Sequence, residues 1–540
     1  MGCRHGEEAG GRAFPAFLDA GRSARSATGP PAQFAVKDRN KQWEGMSVAI
    51  QDFVKAAPES VGIPSEAVER FLDRLEAYGM SMHSVLMLKD AKLLCEGYYA
   101  PFTAKDFHRM YSVSKSFTSM AVGLLIGEGR LYLDSRVADF FPEYDGANLH
   151  PYLSQTTVRH LLMMADSHSD TTYHGPVDRD WIATYFNTPP SHLPGTVFSY
   201  NTASTVMLCA IVERVCGKTF LEYLKEKALL ETGFSPDASC VETPCGYAWG
   251  GSGVLCTSKD LLRFAYLCMK GGNWFGKQLL PASYVAQATA KQIDNFVENS
   301  DIEHQQGYGY QFWRIRNGGF GCFGMGSQFA FCLPDKDFIL VVTGDNQALN
   351  PGANLEILRG LWEELYPHLE KGRSLPENAA GAAALERRLA GLKLRALQGE
   401  TFSPLAERVS GQTYTLSENP MGIARLCVRF DKDRGELEYE NRTGKHRLAF
   451  GLCANVEQEF PETHYSGKRI GTPYGKGYRC FTSAAWASEQ DLLLYCQVAD
   501  MYFGSIKMQL SFRGEEISLR MTKVAEWFLD EYQGWAAGHM

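Results

Sequence analysis

The sequence lacks any apolar run long enough to cross a membrane. It also lacks an excess of basic residues, since 54 lysines and arginines are set against 62 aspartates and glutamates, for a formal net charge of −8. A basic surface is the usual electrostatic requirement for binding nucleic acid. We therefore expect neither a membrane nor a nucleic-acid partner.

The 14 cysteines form no Cys-x-x-Cys pair, and no cysteine–histidine spacing resembles a zinc site. Several stand singly inside apolar runs, among them Cys209, Cys268, Cys332 and Cys496. That pattern is typical of reduced core thiols rather than of a disulfide framework. It predicts a cytoplasmic protein without a structural metal.

Residues 1–45 contain no continuous apolar segment of the kind found in secretory signals, and Glu7 and Glu8 lie near the start. We expect a disordered leader over 1–45, and Met46 is an alternative start. A length of 540 residues is too great for one ordinary core and predicts about three domain-sized units.

Two hairpins are predicted in the first large part of the chain, 46–370. Residues 83–101 alternate around a turn at Lys89–Lys92, and residues 328–346 do so around Pro334–Asp337. We expect both hairpins in one antiparallel sheet, with helices over 203–227 and 258–269 and an amphipathic helix over 354–370 that covers the sheet's other side. The predicted class is α+β: a sheet flanked by helices, with a helical subdomain.

The composition and the hydrophobic pattern change after residue 370. Residues 371–405 are rich in alanine, glutamate, arginine and leucine, which indicates a helical linker. Residues 406–540 consist of short alternating runs separated by turns, for example 425–430, 436–440, 445–450, 491–497, 506–512 and 517–521. They predict an all-β C-terminal domain, either a small barrel or a sandwich.

The pair Ser112 and Lys115 carries the most chemical information. Residues at i and i+3 share a helix face, so the Lys115 amine is expected within hydrogen-bond reach of the Ser112 hydroxyl, which is a weak nucleophile without a base. At a helix start, the Ser112 N–H would also be available to bind an oxyanion. Ser-x-x-Lys alone is a common pattern, and its bland alternative is a serine N-cap followed by a surface lysine.

Several ordered segments besides that pair resemble the family of serine β-lactamases and penicillin-binding proteins, in its branch of class C enzymes, esterases and 6-aminohexanoate-dimer hydrolases. These segments are Thr157-Val-Arg-His160-Leu-Leu, residues 194–200 (PGTVFSY) ahead of 211–218 (IVERVCGK), and Gly253-x-x-Cys-Thr257-x-x-Asp260-Leu261. The resemblance covers most of residues 55–366. It implies a β-lactamase-like fold and a serine nucleophile at Ser112.

The resemblance also assigns roles near a second motif, Tyr-x-Asn. Tyr200 lies where the family has a tyrosine similar in role to a general base shared with the lysine, and a nearby cation would favour its phenolate. The asparagine position holds Thr202, and Asn201 lies one place earlier. Either side chain is a candidate for contacting a substrate carbonyl, and a buried core tyrosine is the alternative for Tyr200.

The family's third motif, Lys-Thr-Gly or His-x-Gly, corresponds to residues 321–328, where Cys322 replaces the cation. The resemblance implies weakened binding of substrates that carry a carboxylate. Gly324 permits a close backbone approach, and the Met325 N–H is the candidate second oxyanion donor.

For several other side chains, a purely structural role is expected as much as a functional one, or more. His160 is expected to cap or pack a helix. His168 and His174 either line the cleft or bind a metal, although their spacing matches no standard site. An aromatic wall or simple core packing is expected of Trp181, Tyr185, Tyr308, Tyr310 and Trp313.

The sequence thus predicts a cytoplasmic serine hydrolase that forms an acyl-enzyme at Ser112, acts on small-molecule esters or amides, and requires no metal or cofactor. A homodimer is possible. Two alternatives stay open: a binding or sensing protein on a degenerate hydrolase scaffold, and a true β-lactamase or D,D-carboxypeptidase.

Overall fold

The computed structural model describes residues 52–174, 178–297, 301–462, 478–500, 502–526 and 529–540. The predicted leader at 1–45 and the alternative start at Met46 lie outside these residues. None of the described helices combines the length and apolarity needed to cross a bilayer.

Twenty-two strands and twelve α-helices make up the regular structure of the described chain. The strands are β1 (Val54–Lys55), β2 (Met82–Lys89), β3 (Lys92–Tyr98), β4 (His108–Arg109), β5 (Ser239–Cys240), β6 (Val254–Cys256), β7 (Asn273–Trp274), β8 (Lys277–Gln278), β9 (Trp313–Arg314), β10 (Phe320–Gly324), β11 (Gln328–Leu333), β12 (Phe338–Gly344), β13 (Thr413–Leu416), β14 (Arg425–Asp431), β15 (Arg434–Asn441), β16 (Gly444–Leu452), β17 (Val456–Glu459), β18 (Arg479–Trp486), β19 (Asp491–Ala499), β20 (Phe503–Arg513), β21 (Glu516–Ala525) and β22 (Gly534–His539). The helices are α1 (Ser65–Ala77), α2 (Ser114–Gly127), α3 (Pro151–Gln155), α4 (Val158–Leu162), α5 (Trp181–Asn187), α6 (Thr202–Cys216), α7 (Phe220–Lys227), α8 (Ser258–Met269), α9 (Ala282–Thr289), α10 (Gly352–Gly360), α11 (Ala379–Ala390) and α12 (Ala406–Val409).

The two predicted hairpins, β2–β3 and β11–β12, lie side by side in one sheet of order β1-β3-β2-β12-β11-β10-β9. Side chains alternate between its two faces, as the period of a strand requires. Leu86 and Val341 face the core that contains α2 and α8, whereas Val85 and Leu340 face the core that contains α1 and α10. The predicted sheet between helical layers is confirmed.

Two predicted helices are interrupted. The stretch 203–227 breaks into α6 and α7 because Gly217 adopts φ +72° as the C-cap of α6, and a capping box between Thr219 and Glu222 starts α7. The stretch 354–370 begins as α10 and continues as a π turn (Leu361–Leu365) and a 3₁₀ turn (Tyr366–His368).

The C-terminal strands close into a barrel. Strands β16-β15-β14-β13-β22-β21-β20-β19-β18 follow one another around it, β16 pairs with β18 to complete the ring, and β17 lies outside the ring beside β18. The barrel has its own apolar core, which includes Tyr414, Phe450 and Trp486. Of the two predicted forms, the barrel is therefore the one adopted, and α11 lies within the predicted linker.

Candidate active site

Ser112 lies in the 3₁₀ turn Tyr111–Val113, which leads directly into α2. Tyr111 has φ +45°, an unusual conformation for a bulky residue and one that concentrates at functional sites. The apolar residues Phe117, Met120 and Ala121 bury the helix in the core behind this turn. The sharp turn thus presents Ser112 at the end of a rigid element.

Lys115 reaches back to that serine. Its Nζ lies 3.0 Å from Ser112 Oγ, 3.3 Å from Thr202 Oγ1 and 2.7 Å from the Gly251 carbonyl oxygen. The residue is 1% exposed, and burial lowers the pKa of its amine to about 7, with Glu526 and Cys209 opposing the shift. A neutral Lys115 can donate two hydrogen bonds and accept one, so the amine can take the Ser112 proton without leaving its place.

Tyr200 is half-buried beside this pair, and its ring lies 4.8 Å from Lys115 Nζ and 5.3 Å from the Trp313 ring. Burial raises the pKa of the Tyr200 phenol to about 12, and hydrogen bonding to Ser112 and Trp313 opposes only part of that rise. The expected phenolate is therefore wrong. The amine contacts the ring rather than stabilising a charged oxygen, and Tyr200 is a neutral hydrogen-bonding group near pH 7.

The structure separates the roles of the two neighbours of Tyr200. Asn201 is fully buried, and its side chain accepts a hydrogen bond from the Ala203 N–H (2.8 Å) and donates to Asp166 (3.3 Å). Assigning Asn201 to substrate binding is therefore a misplacement, because its side chain caps α6. Thr202 is the residue that contacts Lys115 and lines the cleft.

Cys322 also differs from the sequence-based assignment to substrate binding. It is 1% exposed, belongs to the core beneath α2, and hydrogen bonds with Ser116. Burial raises the pKa of its thiol to about 12, which leaves it an inert neutral group. The side chain does not replace a cation in the cleft, because this position of β10 faces inward.

The end of β10 nevertheless lies directly against the Ser112 turn. A Cβ built on Gly324 would lie 2.4 Å from the Met110 carbonyl oxygen, so only glycine permits this approach. The next residue, Met325, lines the cleft together with Ser112. The Met325 N–H stays the predicted second oxyanion donor beside Ser112.

The cleft is a cavity of about 500 Å³. It is lined by Tyr111, Ser112, Asp170, Thr171, Tyr173, His174, Thr202, Trp249, Ser252, Met325 and Glu526. Sequence reasoning missed Thr171, Tyr173, Trp249, Ser252 and Glu526. The glycine-rich run around Trp249 (residues 246–253) was the available signal for two of them, and nothing local marks Glu526.

The remaining candidates divide between the cleft and the scaffold. His160 forms a capping box with Thr157, which confirms its structural role. His168 is buried with Nε2 3.0 Å from the Tyr185 carbonyl oxygen, whereas His174 lines the cavity. The described residues contain no group of three or more His, Cys, Asp or Glu side chains placed to hold a metal ion.

The aromatic wall is only partly realised. Trp181 is a core residue that stacks at 3.6 Å on Tyr173, which itself lines the cavity. Tyr308 and Trp313 surround Tyr200. Tyr185 and Tyr310 are buried in the core.

The chain is similar to several known proteins. A 6-aminohexanoate-dimer hydrolase from Paenarthrobacter ureafaciens is 31% identical over 220 residues, which are 38% of this chain and 56% of that protein. A penicillin-binding protein homologue from Caulobacter crescentus is 18% identical and covers 58% of this chain and 100% of its own, with a TM-score of 0.47. A penicillin-binding protein homologue from Pyrococcus abyssi is 17% identical and covers 87% of this chain and 99% of its own, with a TM-score of 0.44.

The family model described as Beta-lactamase matches residues 66–357, which is more than half of the chain and contains Ser112, Lys115, Tyr200 and Met325. The chain therefore belongs to the beta-lactamase family.

Proposed function

We propose that the protein is a serine hydrolase that cleaves small-molecule esters or amides through an acyl-enzyme on Ser112. The observation that carries this proposal is the 3.0 Å contact between Lys115 Nζ and Ser112 Oγ, made by an amine whose pKa burial lowers to about 7. A nucleophile paired with a base that is partly deprotonated at neutral pH is the requirement for serine chemistry.

The reaction begins with attack of Ser112 Oγ on the carbonyl carbon while its proton passes to Lys115 Nζ. The Ser112 and Met325 N–H groups hold the developing oxyanion. Collapse of the tetrahedral intermediate breaks the ester or amide bond, and Lys115 returns the proton to the leaving alcohol or amine. Water then attacks the acyl carbon while one of its protons passes to Lys115 Nζ. Collapse of this second tetrahedral intermediate breaks the bond to Ser112 Oγ and releases the acid, and Lys115 returns the proton to Ser112 Oγ.

Tyr200 serves this cycle as a neutral donor. Its phenol stays protonated because burial raises its pKa to about 12, so it can hydrogen bond to the Ser112 oxygen or to the leaving group. Lys115 is consequently the base, and Tyr200 orients the reacting oxygen by donating a hydrogen bond to it.

The cavity favours substrates that need no carboxylate anchor. None of the described residues that line it is a lysine or an arginine, while Asp170 and Glu526 do line it. This supports esters and amides over penicillin-like substrates, and the P. ureafaciens relative, named a 6-aminohexanoate-dimer hydrolase, supports an amide among them.

The test is labelling with a fluorophosphonate probe, mapped by mass spectrometry, together with turnover of a panel of p-nitrophenyl esters, D-amino-acid amides and a chromogenic cephalosporin. We expect the label on Ser112, turnover in the first two classes and little with the cephalosporin. Ser112→Ala should lose both label and turnover, and Ser283→Ala, which alters an exposed serine of α9, should keep both. An active Ser112→Ala protein contradicts the proposal, and labelling without any turnover favours the degenerate binding scaffold instead.

A further inference from the structure

The C-terminal barrel reaches the Ser112 cavity at adjoining points. The Phe503 N–H, at the start of β20, donates a 3.0 Å hydrogen bond to the hydroxyl of Tyr111, the residue before the nucleophile. Glu526, directly after β21, lines the cavity itself. An apolar cluster that includes Phe102, Tyr111 and Phe503 packs beside these contacts. The barrel thus supplies part of the cavity wall.

Glu526 is the partner of a buried cation. The guanidinium of Arg109, in β4, is fully buried, and its Nη2 lies 2.9 Å from Glu526 Oε2. Its centre lies 4.5 Å from the rings of Tyr111 and Tyr502. Because a guanidinium stays charged, a buried arginine requires a compensating carboxylate, and here the barrel provides it.

This pairing decides which charge the cavity presents. Glu526 lines the cavity and Arg109 does not, although Arg109 precedes Ser112 by one short turn and hydrogen bonds through Nε and Nη2 to Ser252, another lining residue. Glu526 also lines an adjoining cavity of about 620 Å³, which shares Met325 with the first and contains Lys523 and Asp530. A substrate that extends past Met325 therefore meets the carboxylate rather than the guanidinium.

We propose that Glu526 is a specificity-determining residue: by pairing with Arg109 it prevents that guanidinium from binding substrate anions, and it selects esters and amides whose acyl chain is neutral or carries an ammonium group. This inference rests on the proposed function at Ser112. It adds a role for the barrel, which sets the charge preference of a reaction whose bond-breaking groups all come from the family region.

The experiment compares three p-nitrophenyl esters of equal chain length: hexanoate, the adipate monoester and 6-aminohexanoate. For each variant, the kcat/KM of a charged ester is divided by that of hexanoate, so the folded fraction cancels. We expect Glu526→Gln to raise the adipate ratio about ten-fold and to lower the 6-aminohexanoate ratio about ten-fold, because a unit charge is lost from the cavity wall.

Two matched variants separate the effect of the Glu526 charge from changes in packing and from a change in the net charge of the protein. Glu526→Asp keeps the carboxylate and should keep ratios close to those of the parent. Glu516→Gln removes the same charge from the exposed far end of β21 and should leave both ratios unchanged. Equal losses for all three esters in Glu526→Gln, or unchanged ratios, overturn the inference.

Fluorophosphonate labelling of the same variants separates this inference from the proposed function. Labelled, active Glu526→Gln with the parent's charge preference overturns the inference alone. A parent protein that neither labels at Ser112 nor hydrolyses hexanoate overturns the proposed function and this inference with it.

Discussion

Two buried basic side chains close to each other in the chain, Lys115 and Arg109, have opposite surroundings. Lys115 hydrogen bonds to the hydroxyls of Ser112 and Thr202 and to the Gly251 carbonyl oxygen, and burial lowers the pKa of its amine to about 7. Arg109 lies against a carboxylate 2.9 Å away. The first arrangement favours release of a proton, and the second stabilises a permanent charge.

The difference follows the boundary between the two parts of the protein. Every contact that holds Lys115 comes from the family region, whereas the carboxylate that pairs with Arg109 comes from the barrel. We infer that the family region performs the bond-breaking chemistry and that the barrel adjusts the charge around it.

The largest expected effect comes from making Lys115 resemble Arg109. Lys115→Arg keeps a positive charge but cannot accept a proton, so we expect kcat/KM for a neutral ester to fall by about 1,000-fold or more. Steady-state hydrolysis of p-nitrophenyl hexanoate measures it. Lys371→Arg, at an exposed position, is the matched control, and a Lys115→Arg enzyme within ten-fold of the parent would remove Lys115 from the role of base.

Tyr200→Phe tests whether the second titratable group shares that role. Since the Tyr200 phenol is neutral and only donates, we expect a loss of about 100-fold, clearly smaller than that of Lys115→Arg. The two variants are compared with the same ester at the same pH. Equal losses would indicate that Tyr200 and Lys115 act as one base.

The pairing of Arg109 with Glu526 is tested by measuring the free energy of unfolding. Glu526→Ala leaves a buried guanidinium without its carboxylate, and we expect a loss of about 2–3 kcal/mol in the free energy of unfolding, because Glu526 is partly solvated. Chemical denaturation of the full chain measures it. Glu231→Ala breaks the solvent-exposed pair with Lys277 and should cost no more than about 0.5 kcal/mol.

The pH dependence of kcat/KM is a further test of Lys115. A base with a pKa of about 7 is inactive when protonated, so activity should rise as pH increases through about 7. Cys209 and Tyr200 face the same amine, but burial raises the pKa of each to about 12, so neither titrates in this range. Glu526 raises the pKa of Lys115, so Glu526→Gln should move the acidic limb to lower pH, and a limb that moves to higher pH contradicts this coupling.

The smallest effect is expected at Cys322. Because its side chain faces the core, Cys322→Ala should destabilise the protein by about 1 kcal/mol and change kcat/KM for both neutral and anionic esters less than two-fold. Denaturation and the ester panel measure these quantities. A marked change in the preference for anionic esters would show that Cys322 contributes to substrate binding after all.

The fold was predictable where patterns are local. The alternation on either side of the turns at Lys89–Lys92 and Pro334–Asp337 was sufficient to predict both hairpins, and the C-terminal meander was recognisable as all-β. Within the predicted helical stretch 203–227, the apolar pattern continues on both sides of Gly217, and the backbone conformation of that one glycine ends α6.

The candidate site was predictable to the level of residue types and spacing. Burial and register decided the rest: one residue of offset makes Asn201 a cap and brings Thr202 to the cleft, and the inward face of β10 takes Cys322 out of it. Neighbouring residues of a strand or a helix project their side chains in different directions. Which of them faces the cleft is settled only when the element packs against the rest of the protein.

The sequence by itself determined the nucleophile–amine spacing at Ser112 and Lys115, the glycine at 324 and the change to an all-β texture after the linker, because each depends on neighbouring residues. Only the tertiary structure decided that burial lowers the pKa of Lys115 enough for it to lose its proton near pH 7 and keeps Tyr200 neutral. It also decided that Glu526 pairs with Arg109 beside the cavity. Desolvation and long-range ion pairing arise from surfaces brought together by folding, and no local pattern encodes them.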